Sequence, residues 1–261
     1  MIHNVLSIDL ESFIHREFVP KKRLVKDDDF TLRATTYLLD LFSSYKIKTT
    51  FFVVGEIFEW YPELLEEIKK QGHEVAWHTH RHVLIDNKKM LEKELKLSEK
   101  FLTKYSPIGF RATRMHLPKN CLPVLKKAGF LYDSSTYNSF ARQEMTEGIR
   151  EIPVSLMPYP FVGRRNGFGQ NFAKTLRSRG FPYGSGLVIN LLQKNTAHFI
   201  DTENHKKNPA ILFLHPWQFF DYPHPTSLRY LLYGMKVNQT AEYLLSKYTF
   251  IPMRNLLSSS L

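Results

Sequence analysis

The residues in this chain best suited to chemistry are His78-Thr79-His80-Arg81-His82, directly after the run Glu74-Val75-Ala76-Trp77. His78 and His82 are four apart, so one helical turn or a tight loop can aim both imidazoles at one point. Neutral imidazole is a common zinc ligand, and this is a ligand spacing. A solvated helix face gives the same spacing, so the rest of the chain has to supply a carboxylate ligand, a base and an acid. Asp9-Leu10-Glu11 offers two carboxylates that leave one face of an extended segment together. Like charges held so close raise one pKa unless a cation sits beside them. Glu11, His78 and His82 then form a two-histidine, one-carboxylate set that leaves coordination positions open for water, as catalytic zinc sites do. A divalent ion there brings the pKa of a water towards ~7 and polarises a carbonyl. Asp9 is the candidate base and His215 the candidate acid for a leaving amine. Arg111 and Asp133 are the candidates for orienting the two.

Taken singly, each residue has a plainer role: Asp9 a turn cap, Arg111 with Asp133 an ion pair, His215 a satisfied buried imidazole. Their common placement argues otherwise. Val5–Ile8, Thr49–Val54, Glu74–Trp77, Pro107–Arg111, Phe130–Asp133, Glu151–Ser155 and Ala210–Leu214 read as short buried strands. Helical spacing covers Leu32–Tyr45, with Asp29 or Thr31 as cap, and Glu63–Gln71, closed by Gly72. It also covers Lys88–Tyr105 as one long helix, with Leu91, Leu95, Leu97 and Leu102 inward and Lys and Glu outward. Further helices are expected over Pro118–Ala128, Leu187–Lys194 and Ser227–Ser246, before a last strand at Tyr248–Ile251.

Alternating strands and helices indicate a parallel sheet, and about seven such units suggest a barrel. The fold class expected is α/β, a distorted (β/α)7 barrel. The candidate site residues fall at strand C-terminal ends, which converge on one face of such a barrel. No linker or repeat divides the chain, so residues 1–261 are expected to form a single catalytic domain with a long loop excursion at 156–186.

A hydrophobic content of 43% and a charged content of 23% are ordinary for a folded domain, and no apolar run approaches membrane-spanning length. The start, Met1-Ile2-His3-Asn4-Val5-Leu6, lacks signal-peptide features, and the single cysteine, Cys121, excludes an internal disulfide and reads as a packed helix residue. The expected location is cytoplasmic. The net charge of +11 favours an anionic partner. No nucleic-acid-binding signature accompanies it, which leaves a phosphorylated substrate, peripheral contact with an anionic membrane or, most simply, a soluble basic surface. Basic groups stand at Lys21-Lys22-Arg23, Arg164-Arg165 and Lys174 to Arg179.

In order and context these motifs resemble the polysaccharide deacetylase family, also called the NodB-homology domain or carbohydrate esterase family 4. Ser7-Ile8-Asp9-Leu10-Glu11 is similar to the Asp-x-Glu branch of its first motif. Gly72-His73-Glu74 with His78 to His82 is similar to the second, in which His80 is not a ligand. Gly109-Phe110-Arg111-Ala112 is similar to the third but carries Thr113 where proline is expected. Arg114 stands where a residue lends its N–H to the oxyanion. Tyr132-Asp133-Ser134-Ser135 and Leu212-Phe213-Leu214-His215 match the fourth and fifth. The resemblance implies metal-dependent removal of an N-acyl group, most simply acetyl, from an amino sugar. It implies zinc as the metal, with cobalt, manganese or nickel as substitutes, and substrate contacts at Leu212, Trp217, Tyr183 and Arg114. His215-Pro216-Trp217, Tyr183-Gly184-Ser185-Gly186 and the tail at Phe250–Arg254 resemble a subgroup linked to exopolysaccharide synthesis. Two other readings stay open: a metal-independent amidase on a ureide-type substrate, and a non-catalytic carbohydrate-binding relative.

Overall fold

The computed structural model describes residues 2–16, 26–160, 172–220 and 236–258. Parallel strands order as β12 (Ile211–Leu214), β1 (His3–Leu10), β2 (Thr50–Val53), β3 (Glu74–Trp77), β4 (Gly109–Phe110), β5 (Tyr132–Asp133) and β8 (Ile149–Glu151). β7 (Glu144–Thr146) adds an antiparallel edge on β8. Beyond β5 and β8 the same two chain segments pair again as β6 (Tyr137–Asn138) and β9 (Val154–Ser155). β10 (Met157–Pro158) and β11 (Gly180–Phe181) make a small hairpin, and β13 (Thr249–Phe250) pairs with the start of β1. The result is a curled parallel sheet of barrel type.

Strand alternation sorts the side chains. On β1, Leu6, Ile8 and Leu10 face the large core between sheet and helices, while Val5 joins an interior cluster with Phe52, Ala76, Tyr132, Ile152, Ile211 and Met253. Burial of both faces is why β1 carries apolar residues on each, Val5 on one and Leu6, Ile8 and Leu10 on the other. On β12, Leu212 and Leu214 face the helices, so Phe213 and His215 face the interior.

The ring closes through one residue. Gly184 N–H donates to Ser155 O at 3.0 Å, and Phe213 N–H donates to Gly184 O at 2.9 Å. A Cβ on Gly184 would lie 2.4 Å from Ile211 O, so only glycine fits between β9 and β12.

Five helices lie on the first half of the sheet: α1 (Phe30–Ser44), α2 (Gly55–Trp60), α3 (Pro62–Lys70), α4 (Lys88–Leu97) and α5 (Glu99–Tyr105). Gly72, at φ 84°, follows α3 as the C-terminal spacing anticipates. Several expectations are corrected. Asp27, rather than Asp29 or Thr31, caps α1: its carboxylate accepts from Thr31 N–H at 3.2 Å and from Tyr61 O–H at 2.5 Å. The long helix over 88–105 breaks at Ser98 (φ −85°, ψ 8°), whose hydroxyl accepts from Trp77 Nε1–H at 2.9 Å. Leu97 is 42% exposed rather than inward, and Glu94 on the same helix is fully buried rather than outward. Helix α2 and the helix Thr196–His205 carry no clear apolar periodicity and were not anticipated. The expected helix over 227–246 is described from Asn238 to Lys247; its earlier part lies outside the described residues. Among the described residues no helix is long and apolar enough to cross a membrane.

Candidate metal and catalytic site

The base of the site is set by β1. Its interior residues climb from Val5 through Ser7 to Asp9, from apolar to charged. Just past Asp9 the chain makes a three-residue turn, Glu11 N–H donating to Asp9 O at 3.0 Å. The segment is therefore not extended through Glu11 as its alternation suggests. The turn still leaves both carboxylates buried, Asp9 at 4% and Glu11 at 1% exposure.

The histidines leave β3 in a loop that two neighbours hold. Thr79 O and His80 O accept the first N–H groups of α2, those of Gly55 and Glu56, each at 2.9 Å. From the other side Glu94 accepts from His80 N–H at 3.0 Å, from Arg81 N–H at 2.9 Å and from the Arg81 guanidinium. Held this way, Thr79 and His82 adopt φ of 62° and 54°. A β-branched residue in that region is strained by on the order of 1 kcal/mol or more, and such strain collects at functional sites. Arg114 and Met115, in the facing loop, also have positive φ (55° and 56°). The two loops touch through the Thr79 and Thr113 hydroxyls, 3.3 Å apart.

Glu11, His78 and His82 converge: one ligand atom from each lies within 4.8 Å of the others, and all three are buried. The donor chemistry suits a metal. His78 Nδ1 lies 2.7 Å from Arg111 O and His82 Nδ1 lies 3.3 Å from His15 O. A carbonyl only accepts, so both Nδ1 atoms carry hydrogen, which leaves Nε2 of each ring as the atom that can serve a metal. Burial, only partly offset by Asp9 and Glu11, lowers the His78 pKa to about 4, which keeps that ring neutral. His82 Nε2 is in direct contact with Glu11 Oε2. A lone pair facing a carboxylate oxygen needs a proton or a cation between them. His80 belongs elsewhere: its ring nitrogens lie 3.3 Å from Ser98 Oγ and 3.7 Å from Glu59 Oε1.

Arg111 is fully buried and spans the interior. Its Nη1 donates to Asp9 Oδ1 at 2.5 Å and to Ser7 Oγ at 2.9 Å, while Nε and Nη2 reach Ser134 O and Oγ, each at 3.0 Å. The guanidinium lies 4.0 Å over the Phe52 ring. His215 arrives from β12 with Nε2 3.4 Å from Glu11 Oε1 and its ring stacked on Trp217 at 4.3 Å. The structure thus brings Asp9, Glu11, His78, His82, Arg111 and His215 into one buried cluster.

It does not bring all the expected residues there. Asp133 follows Tyr132, which points into the barrel, so Asp133 points out of it. It pairs in register with Glu151 and accepts from Ser135 O–H at 2.5 Å. No hydrogen bond joins it to Asp9 or His215 among the described residues, while burial raises its pKa against the lowering charge of nearby Arg111. Leu212 faces the helices for the same reason of parity, and Phe213 takes the interior position. Tyr183 is 1% exposed and stacked on Phe199 in the large core, next to the closing residue Gly184. Trp217 is 1% exposed behind His215, among Phe13, Ile14, Phe30 and Ala34. Arg114 is exposed on the facing loop. Glu94, Gln218 and Glu151 were missed. Glu94 and Gln218 are polar within segments whose local pattern gives no sign of burial, and Glu151 opens an expected strand without marking itself as a site residue.

The Asp133–Glu151 pair has its own chemistry. Asp133 Oδ2 and Glu151 Oε2 are buried without a hydrogen-bond partner among the described residues. Burial raises both pKa values, and the two neighbouring carboxyls can bond each other only while they share a proton. Folded-state pKa values above the unfolded ones give stability that is present at acid pH and lost as pH rises beyond the ordinary carboxylate range. Glu151→Gln supplies an N–H to ionised Asp133. Melting curves from about pH 5 to about pH 8 should therefore show the variant losing less stability than wild type. Parallel curves would show that no proton is shared.

Residues 24–132 match the family model described as polysaccharide deacetylase. That span includes His78, His82 and Arg111 and excludes Asp9, Glu11 and His215. A peptidoglycan-N-acetylglucosamine deacetylase of Bacillus cereus is 28% identical over 122 residues, 45% of this chain and 57% of that protein. A peptidoglycan-N-acetylmuramic acid deacetylase of Bacillus subtilis is 30% identical over 121 residues, 44% of this chain and 25% of that protein. The chain thus spans less than two thirds of these relatives. In fold it is similar to a Mycobacterium smegmatis protein assigned by inference to the polysaccharide deacetylases (TM-score 0.61, 16% identity, 97% of this chain and 89% of that one). It is also similar to a peptidoglycan deacetylase of Bacillus subtilis (TM-score 0.52, 14% identity, 98% and 90%). The match to the polysaccharide deacetylase model covers 24–132, less than half of the chain, and the solved structures share its fold.

Proposed function

We propose that this chain is a carbohydrate N-deacetylase that hydrolyses an N-acyl group, most simply acetyl, from an amino sugar. The observation that carries this reading is the convergence of Glu11, His78 and His82 on one point, beside Asp9 and His215. These three residues would hold a divalent metal, zinc in our reading, which when bound supplies the Lewis acidity for amide hydrolysis. Asp9 takes the proton of the attacking water. Arg111 fixes Asp9 by donating to Oδ1. His215, its ring set by Trp217, gives a proton to the departing amine from Nε2. The barrel interior below them is filled by side chains, so water reaches the amide only where the site admits it.

The finer reading places the chain in the branch with an Asp-x-Glu first motif, acting on a polysaccharide or on its lipid- or nucleotide-linked precursor. The charge of +11 supports an anionic substrate or surface. Arg177 is exposed on the helix Phe172–Ser178, while Arg164 and Arg165 lie outside the described residues.

The test is acetate release from N-acetylated amino sugars offered free, lipid-linked and nucleotide-linked. Release is expected to stop with a chelator and to return with zinc or cobalt. Turnover indifferent to chelator would point to a metal-independent amidase. Bound metal with no release from any substrate would point to a binding protein.

A further inference from the structure

The two segments that carry Glu11 and His82 meet at one acidic side chain that takes no part in the chemistry. Glu56 stands in the first turn of α2. Its N–H donates to His80 O at 2.9 Å, inside the loop that carries His78 and His82. Its Oε2 lies 3.0 Å from Nε2 of His15, a residue shortly after Glu11 in the chain. The approach of α2 to the loop depends on Gly55, where a Cβ would lie 2.4 Å from His80 Nδ1.

His15 turns this contact into a bracket. Its Nδ1 lies 2.9 Å from Ser12 N, and its own N–H donates to Ser12 O at 3.0 Å. A backbone N–H can only donate, so Nδ1 accepts, and the hydrogen of the ring sits on Nε2, aimed at Glu56. His15 is thus tied twice to the neighbour of Glu11. Its carbonyl in turn accepts from His82 Nδ1 at 3.3 Å. The ring is buried and stacked on Trp60, with centroids 5.2 Å apart and planes 9° from parallel. The Glu56 side chain is 31% exposed, so in its absence water can take the bond from Nε2. Water satisfies the N–H but fixes no position. A ring that turns carries with it both the backbone beside Glu11 and the carbonyl that orients His82.

We propose that Glu56, acting through His15, is a positioning residue of the metal centre: it holds the Ser12–His15 turn so that Glu11 and His82 stay facing one another. The proposal rests on the reading of Glu11, His78 and His82 as metal ligands. Its test is the zinc affinity of the full chain, measured without substrate by competition with a chromophoric chelator. Glu56→Met keeps the bulk and removes the acceptor. It should weaken zinc binding about 10- to 100-fold, with the melting temperature of the metal-free protein near wild type. Glu56→Gln keeps an oxygen for Nε2–H and should bind zinc almost as tightly as wild type. His15→Phe keeps the stacking on Trp60, loses both ring nitrogens and should also weaken zinc binding. In that background Glu56→Met should cost nothing more, because Glu56 acts through the ring. Wild-type affinity in Glu56→Met overturns the proposal, and so does a further loss when it is added to His15→Phe. Wild type that takes up no zinc overturns the metal reading itself, and the proposal with it.

Discussion

Alanine at His78 or at His82 is expected to empty the metal site and abolish turnover, whereas alanine at His80 leaves both in place. The three imidazoles sit within five residues, yet their surroundings separate them. The Nδ1 atoms of His78 and His82 are bound to carbonyls and their Nε2 atoms lie beside Glu11. His80 is engaged by Ser98, Glu59 and Glu94. Loss of a residue that merely orients a ligand costs about 10- to 100-fold in affinity or activity, so loss of a ligand should exceed about 100-fold. Metal stoichiometry by elemental analysis and acetate release, measured on the same preparations, check this. Retention of one metal per chain in His78→Ala would place the ion elsewhere.

Arg111→Met is the second large effect, and it should appear in stability as well as in rate. The variant takes the cation away from buried Asp9 and strands Ser7 and Ser134. Breaking a buried pair from one side costs about 3–5 kcal/mol. Asp9→Asn should cost a comparable amount from the other side, because the Arg111 charge is then uncompensated. The double variant removes both charges, so its stability should recover well above the sum of the two losses, while its activity stays lost. Chemical denaturation of the four proteins measures the cycle. Additive losses would mean that the two groups do not act as a pair.

These two predictions rest on residues that were legible in the chain. Asp9, Glu11, His78, His82, Arg111 and His215 all stand at or just past an apolar run, and a parallel barrel gathers such positions on one face. The legible part ended where parity had to be known. Strands β4 and β5 have two residues each, too few to show alternation, so nothing in Tyr132-Asp133 says which one turns inward. At β12 the answer was available: His215 and Phe213 are two apart and share a face, which excludes Leu212. Glu94 and Gln218 could not be found locally, because each is buried by a partner remote in sequence. For Glu94 that partner is the loop at His80 and Arg81, and for Gln218 it is Gly186 and Asn190. The break at Ser98 has the same origin, since Trp77 draws its hydroxyl inward.

Closure at Gly184 divides the molecule unevenly. From β12 through β1 and β2 to β3, neighbouring strands share four residues of ladder at each step. Across the seam the connection is the N–H and the O of a single glycine, helped by Ser155 Oγ accepting from Ile211 N–H at 2.8 Å. Free energies of local opening follow the number of bonds that must break together, so the ring will breathe at this joint before it yields anywhere along β1 to β3. His215 stands at the end of the strand that borders the joint, and its amide partner, Gln218, is anchored in the helix just past Gly184. The metal ligands and the base stand on the stiff arc. Because β12 is itself laddered to β1, any widening of the mouth to admit a bulky chain would move the β9 side of the seam and leave the proton donor together with the metal ligands on the stiff arc.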